Sequence, residues 1–152
     1  MKLVIGADSA GKPLLDVVAK HLADKGVEVT DLSPASDSTP EFYADTAERV
    51  GLSITEGRFD RGLLFCGTGI GVCISANKVP GIRAAQAHDT YSAGKAATSN
   101  NAQIITLGAR VVGPELAKAI VDTYLASAFD PKGSSAGNVG AIEKLDGKYT
   151  KG

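Results

Sequence analysis

The sequence has few cysteines, little net charge and no long apolar run, and each shortage excludes a class of protein. Cys66 and Cys73 are the two cysteines, seven residues apart, which argues against a disulfide framework and matches no zinc site. A net charge of −1 gives no reason to expect nucleic acid or an anionic membrane as a partner. No apolar run approaches the ~20 residues of a membrane helix, and Met1 leads straight into an apolar segment without the layout of a signal peptide. We therefore expect a cytoplasmic protein with reduced thiols.

What is present fits one globular domain. The chain has 152 residues, of which 43% are hydrophobic and 22% charged, as in ordinary soluble proteins with a single core. The sequence contains no internal repeat, low-complexity segment or linker, so residues 1–152 are expected to form a single domain.

Short apolar runs alternate with segments of helical period along the whole chain. Because the connections between the runs have helical length, they predict a parallel sheet with helices on both faces, joined by right-handed crossovers. The expected fold is a three-layer α/β/α sandwich with a five-stranded sheet. The predicted strands cover 2–7, 27–32, 62–65, 82–87 and 102–107, and the predicted helices cover 13–25, 41–56, 72–79, 89–97 and 114–125, with a last short helix over 138–145.

The stretch from Arg61 to Gly81 carries the strongest chemical signal. It predicts a buried strand that ends at Cys66, a glycine-rich turn over 67–71, and a helix that stops at Pro80. In open α/β sheets, ligands bind where strands end and helices begin. Glycines let the backbone approach a ligand, and the N–H groups of a helix's first turn face an anion. A thiol at this position has its thiolate favoured by the same dipole.

Four polar clusters are expected to meet at the carboxyl edge of this sheet. They are Asp8–Ser9 after the first strand, Tyr43 and Asp45 at the second helix, the 66–71 turn, and Ser99–Asn100. The last cluster directly precedes the fifth strand, and we expect it to fold back over the same edge. A thiol base, a carboxylate, a hydroxyl and a backbone anion hole suit proton removal next to a carbonyl, through an enediolate.

Each of these residues also has a purely structural interpretation. A cysteine at a strand end is more often a small buried hydrophobe than a catalyst. The glycines of the turn do not follow the dinucleotide pattern G-x-G-x-x-G. Asp8 could simply cap the next helix, His88 before a helix start is more often structural, and Cys73 is expected in the core.

The run C-G-T-G-I-G-V-C-I-S-A-N-K-V-P-G-I-R-A-A, which starts at Cys66, resembles the ribose-5-phosphate isomerase B / galactose-6-phosphate isomerase family. The strings G-A-D-S-A-G at 6–11, Y-A-D at 43–45, H-D-T-Y-S-A at 88–93 and L-G-A-R-V-V-G at 107–113 agree with it. The resemblance covers essentially the whole chain. It implies a Rossmann-like fold, a homodimer with shared active sites, and aldose–ketose isomerisation of sugar phosphates without a metal or cofactor.

The resemblance also implies roles for individual residues. Cys66 would move the proton between carbons, and the loop over 67–71, assisted by Thr68, would hold the enediolate. Asp8 and Asn100 would contact substrate oxygens, and Arg110 would reach the neighbouring subunit's site. The other expected substrate-binding residues are Ser9, Tyr43, Gly67, Gly69, Ile70, Gly71, Ser99, Ser134 and Asn138.

The departures from the family pattern concern the substrate. Members that act on cyclic sugars carry histidines where this chain has Ser9 and Ser99, and the second of these opens the sugar ring. Their phosphate-binding arginines correspond to Ser134 and Asn138. The proton-transfer residues are thus retained, while the ring-opening residue and the usual phosphate clamp are absent. The strings D-S-A-G, S-N-N-A-Q and S-A-G-N-V resemble the tetrulose-phosphate branch of the family, which converts D-erythrulose 4-phosphate to D-erythrose 4-phosphate.

Three functions therefore stay open at this point: a short-chain sugar-phosphate isomerase, a ribose-5-phosphate isomerase that takes only the open-chain sugar, and a non-catalytic sugar-phosphate-binding protein. The phosphate is assigned to Arg110, Lys132, Lys12 or a helix N-terminus. The polar tail, about 130–152, is expected to pack on a partner subunit, in a homodimer or a tetramer.

Overall fold

The computed structural model describes residues 1–150; positions 151 and 152 of the predicted tail lie outside them. Within that range, five strands alternate with six helices. The strands are β1 Leu3–Ala7, β2 Val29–Asp31, β3 Arg61–Cys66, β4 Ala84–Gln86 and β5 Ile104–Gly108. The helices are α1 Lys12–Asp24, α2 Tyr43–Thr55, α3 Ile70–Ala76, α4 Thr90–Thr98, α5 Pro114–Ala126 and α6 Ala136–Tyr149.

All neighbouring strands pair in parallel, in the order β2-β1-β3-β5-β4. The predicted α/β class and the five-stranded parallel sheet are therefore confirmed. The three central strands β1, β3 and β5 are almost entirely buried, which explains why they read as continuous apolar runs rather than alternating ones.

The core lies in two layers, one on each face of the sheet. Helices α1, α4 and α5 pack on one face, where Leu15, Phe65 and Tyr124 are completely buried. Helices α2 and α3 pack on the other face, against Val4, Leu64 and the sulfur-bearing Cys66. The alternation of side chains along a strand assigns Cys66 to the α2–α3 face.

Helix α3 is shorter than the sequence predicts, because Asn77 ends it. The side-chain amide of Asn77 donates to the carbonyl of Ala84 at 2.9 Å and accepts from the N–H of the same residue at 2.8 Å. This pair of bonds joins the end of α3 to the start of β4. The predicted continuation of the helix to Val79 was therefore wrong, and β4 covers three residues rather than the six predicted over 82–87.

Helix α6 is longer than predicted and lies apart from both core layers. It runs for 14 residues, and its second half lies beside the loop before β4. Asp146 accepts the N–H of Gly81 at 2.6 Å, and Glu143 lies 3.7 Å from the guanidinium of Arg83. Leu145 is 58% exposed. Over residues 1–150, none of the helices has both the length and the apolar content that crossing a bilayer requires.

Candidate active site

Cys66 occupies the last position of β3 and is only 5% exposed. Its sulfur accepts a hydrogen bond from the N–H of Gly69 at a distance of 3.0 Å. The sulfur, the end of the strand and the glycine-rich turn therefore lie together, as the sequence predicts.

The turn after Cys66 needs glycine at a defined position. Gly69 has φ = +75°, and a Cβ there would lie 2.9 Å from the carbonyl carbon of Leu107. Both the left-handed backbone and the close approach exclude a side chain. Thr68 is exposed at the tip of the turn, where its hydroxyl accepts from the N–H of Ile70 at 3.2 Å. The turn thus brings a hydroxyl and several N–H groups beside the sulfur.

Asp8 reaches the same edge from the neighbouring strand β1. The N–H of Asp8 donates to the carbonyl of Phe65 at 3.4 Å, which places the residue next to Cys66. Its carboxylate accepts the N–H of Gly11 at 2.9 Å and so shapes the turn into α1. Asp8 does not cap α1 itself, whose N-cap is Gly11 without a side-chain cap hydrogen bond. Asp8 also lines a cleft together with the exposed Ser9.

Tyr43 connects α2 to the glycine-rich turn. A Cβ at Gly71 would lie 2.5 Å from the Tyr43 ring, so glycine at this position lets the ring lie on the start of α3. Asp45 caps α2 instead of facing the site, because its carboxylate accepts the N–H of Phe42 at 2.8 Å. Asp8, Ser9 and Tyr43 line a cleft of about 590 Å³, together with the hydroxyl-rich loop over 33–39.

Two of the proposed phosphate-binding cations differ in whether they are already paired. Lys12 lies 2.9 Å from Asp31 and 3.1 Å from Asp16. The hydrogen bond to Asp31 raises the pKa of Lys12 above its ordinary value, against the lowering effect of burial. Arg110 is exposed, and its guanidinium is paired with no carboxylate of residues 1–150. A Cβ at Gly67 would lie 3.1 Å from Nη1 of Arg110, so this cation lies beside the Cys66 turn of its own chain.

Ser99 and Asn100 do not fold back over this edge, and that expectation was wrong. They follow α4, which returns the chain to the amino edge of the sheet, and Asn100 lines a second cleft there, of about 720 Å³, with Arg83 and α6. The five residues of β5 separate the amino edge from Gly108, which is the register partner of Cys66 at the carboxyl edge. That separation is about 13 Å at ~3.3 Å per residue.

The remaining predicted residues, Ser134 and Asn138, are exposed near the start of α6. They line neither the cleft beside Asp8 nor the one beside Asn100.

Cys73, expected in the core, is partly exposed, with its sulfur 3.5 Å from the carbonyl of Ala84. Among residues 1–150, the structure has no group of three His, Cys, Asp or Glu side chains that could hold a metal ion.

Two side chains that support the turn were not predicted from the sequence, and a third, His88, was given only the structural interpretation that its contacts agree with. Gln86 donates to the carbonyl of Thr68 at 2.8 Å, and Thr106 donates to the carbonyl of Gly69 at 2.7 Å. His88 accepts the N–H of Gly108 at 2.9 Å, and burial lowers the pKa of its imidazole. One signal was available: Thr106 is a polar residue within the otherwise apolar run over 104–107.

Comparison with known proteins assigns the chain to a family. Residues 3–142 match the Ribose/Galactose Isomerase family. The chain belongs to this family. It is accordingly an enzyme, an aldose–ketose isomerase of sugar phosphates.

Individual relatives agree with the family over nearly the whole chain. The chain is 51% identical to D-erythrulose-4-phosphate isomerase of Pectobacterium atrosepticum, over 89% of each sequence. It is 45% identical to ribose-5-P isomerase B of Listeria innocua, over 97% of this chain and 99% of the relative. Among solved structures, ribose-5-phosphate isomerase B of Clostridium thermocellum is 41% identical and superposes with a TM-score of 0.91, over 99% of this chain and 100% of that one.

Proposed function

We propose that this isomerase interconverts D-erythrulose 4-phosphate and D-erythrose 4-phosphate, with Cys66 as the base that moves the proton. The observation that carries the proposal is the contrast between a complete proton-transfer site and the serines at positions 9 and 99. The 51% identity to a D-erythrulose-4-phosphate isomerase supports it.

The chemistry follows from the geometry around Cys66. Its thiolate takes a proton from C1 of the ketose, the C1–H electron pair becomes the C1–C2 double bond, and the carbonyl electrons move onto O2. The resulting enediolate is assigned to the N–H groups of the 67–71 turn other than those of Gly69 and Ile70, which already donate to the Cys66 sulfur and the Thr68 hydroxyl. Asp8 and the Thr68 hydroxyl are placed to exchange the proton between O1 and O2. Cys66 then returns its proton to C2, which gives the aldose and regenerates the enzyme with no net redox change.

The substrate argument depends on which sugar can close into a ring. A furanose forms when O4 attacks C1, and O4 is free in ribose 5-phosphate but esterified in a tetrose 4-phosphate. A tetrose enzyme therefore has no task for a ring-opening histidine, in agreement with Ser99. The shorter substrate also moves the phosphate inward, away from the positions of Ser134 and Asn138. Arg110, exposed and beside Gly67, is the cation that we assign to the phosphate.

The placement of Ser99 and Asn100 supports a homodimer. Since they lie at the amino edge of their own sheet, they can serve a Cys66 site only in a second copy. Helix α6 contributes to this edge and leaves Leu145 and Tyr149 exposed. We infer that the tail packs on the partner subunit. Sedimentation velocity at micromolar concentration tests this inference, and a fully active monomer would refute it.

The substrate is tested by measuring kcat/KM for erythrulose 4-phosphate and ribose 5-phosphate with one enzyme preparation. We expect the tetrose to be preferred. A tenfold or larger preference for the pentose, equivalent to about 1.4 kcal/mol of transition-state binding, would overturn the proposal. The variant Ser99→His is the matched test: it should leave tetrose turnover unimproved, because that substrate has no ring to open.

Ribose-5-phosphate isomerisation is the second candidate, favoured by the 45% identity to ribose-5-P isomerase B over almost the full length. In this case Ser99→His would raise pentose turnover by supplying ring opening. If neither substrate is converted but solvent deuterium enters bound ligand, the proton-transfer role of Cys66 stands and only the substrate assignment fails.

A further inference from the structure

The turn after Cys66 is held from behind by two polar side chains of neighbouring strands. Gln86 on β4 donates from Nε2 to the carbonyl oxygen of Thr68 at 2.8 Å. Thr106 on β5 donates from Oγ1 to the carbonyl oxygen of Gly69 at 2.7 Å. Gln86 and Thr106 are register partners in the sheet, so they lie side by side beneath the turn. Neither residue has a part in the chemistry described above.

Each anchored carbonyl belongs to a peptide group whose N–H meets a proposed catalytic side chain. The group between Thr68 and Gly69 carries the N–H that donates to the sulfur of Cys66 at 3.0 Å. The next group, between Gly69 and Ile70, carries the N–H that donates to the Thr68 hydroxyl at 3.2 Å. Because a peptide group is planar and trans, holding its carbonyl oxygen also fixes the direction of its N–H.

We propose that Gln86 and Thr106 are positioning residues that keep the Gly69 N–H on the sulfur of Cys66 and the Ile70 N–H on the hydroxyl of Thr68. This proposal rests on the assignment of Cys66 as the base. Gly69 has little steric restraint on its torsion angles, so without the two anchors its flanking peptide groups are free to rotate. The thiolate of Cys66 then loses a fixed donor, and enzymes gain most from donors that need no rearrangement during the reaction.

The two residues differ in burial, which separates positioning from stability. Thr106 is completely buried, so Thr106→Val also leaves a buried carbonyl without its donor and lowers stability. Gln86 is exposed, so Gln86→Leu removes the anchor with little effect on folding. A fall in kcat that both variants share is therefore caused by the lost anchoring of the turn and not by a loss of stability.

The first measurement is the kinetics of Gln86→Leu, Thr106→Val and Thr106→Ser. We expect kcat to fall about tenfold in the first two with KM within about twofold, less than the ~10²–10³-fold loss on removing a donor outright. Thr106→Ser keeps the hydroxyl and should retain at least half of kcat. The matched control is Ser53→Ala, since Ser53 is also completely buried and donates to the carbonyl of Val50 in α2 at 2.7 Å. It should lower stability and leave kcat unchanged.

The second measurement does not require turnover. In a Cys73→Ala background Cys66 is the only thiol, and its alkylation by iodoacetamide at one fixed pH is followed by mass spectrometry. We expect the rate constant to change by at least about twofold in Gln86→Leu and Thr106→Val, because the sulfur has lost its fixed backbone donor and thiol reactivity depends on such surroundings. An unchanged rate constant in both variants, or an equal change in Ser53→Ala, would overturn the proposal. If Cys66→Ala keeps its turnover, the assignment of the base fails, whereas the alkylation rate still tests the anchoring.

Discussion

The two edges of the sheet differ in how much of their surface a single chain completes. At the carboxyl edge, Cys66 accepts a hydrogen bond from its own turn, Asp8 accepts one from Gly11, and the glycines of the turn leave no room for a side chain. At the amino edge, Asn100 and α6 line an open cleft, and apolar residues of α6 face outward. The comparison shows that the turn after Cys66 is closely packed within one chain, whereas the amino edge keeps an open, partly apolar surface, which is where we propose that a second copy packs.

The largest effect should come from removing the sulfur at the carboxyl edge. We expect Cys66→Ala to lower kcat by about 10²–10⁴-fold, the usual contribution of a positioned base, with folding and ligand binding retained. Cys73→Ala is the control: that thiol is partly exposed with its sulfur 3.5 Å from the carbonyl of Ala84, and its loss should affect stability alone. A Cys66→Ala enzyme with more than about a third of wild-type kcat would remove Cys66 from the mechanism.

At the amino edge, a charge on α6 should act through assembly rather than through chemistry. Leu145→Asp places a carboxylate on the exposed apolar face of the helix, and burying it against a partner costs at least about 2 kcal/mol of association. We expect dissociation in sedimentation, with activity that recovers as the protein concentration rises. Lys144→Gln changes the net charge by the same amount at the neighbouring position and should leave assembly intact. An active Leu145→Asp monomer would show that one chain completes the site.

At the carboxyl edge, beside Gly108, His88 should make stability depend on pH. Its imidazole must be neutral to accept the N–H of Gly108, and burial lowers its pKa in the folded state. The unfolded chain therefore binds a proton first, at the ordinary value of about 6.5. This contribution to stability is complete above that pH and is lost as the pH falls through the lower folded-state pKa.

Urea unfolding from pH 7.5 to 5 tests this sign by comparing wild type with His88→Leu. The variant should be less stable by about 1 kcal/mol at pH 7.5, since it lacks the acceptor for Gly108. The difference between the two proteins should narrow toward pH 5. A difference that widens on acidification would mean that the charged imidazole, not the neutral one, is stabilised by the fold.

The sequence predicted the carboxyl edge better than the amino edge, for a physical reason. Buried strands and glycine-rich turns leave local signatures, so the β3 strand, Cys66 and the turn after it were correctly located. The expected position of Ser99 was wrong although the predicted parallel sheet already implies the observed one, because residues between a crossover helix and the next parallel strand lie at the amino edge. The extent of α6 was underestimated because its three glycines at 137, 140 and 147 weaken helix propensity. The anchors Gln86 and Thr106 become visible only when β4 and β5 are paired.

The smallest expected effect is that of a glycine-to-alanine substitution at the amino edge, which is compared with the same substitution at the carboxyl edge. At Gly108 a Cβ would lie 2.5 Å from the backbone of Thr68, whereas at Gly147 it would meet nothing within 4 Å. Gly108→Ala should therefore disrupt the Cys66 turn. Gly147→Ala lies within α6 and should raise the free energy of unfolding by about 0.5–1 kcal/mol through helix propensity alone, measured by thermal or urea unfolding with activity unchanged. The space around Gly147 is open in a single chain, and a partner subunit that packs on this face of α6 would fill it. Whether Gly147→Ala stabilises the protein or weakens its assembly therefore tells whether the partner packs there. If Gly147→Ala instead weakens assembly in sedimentation, the second copy packs against this face of α6 closely enough to exclude a methyl group.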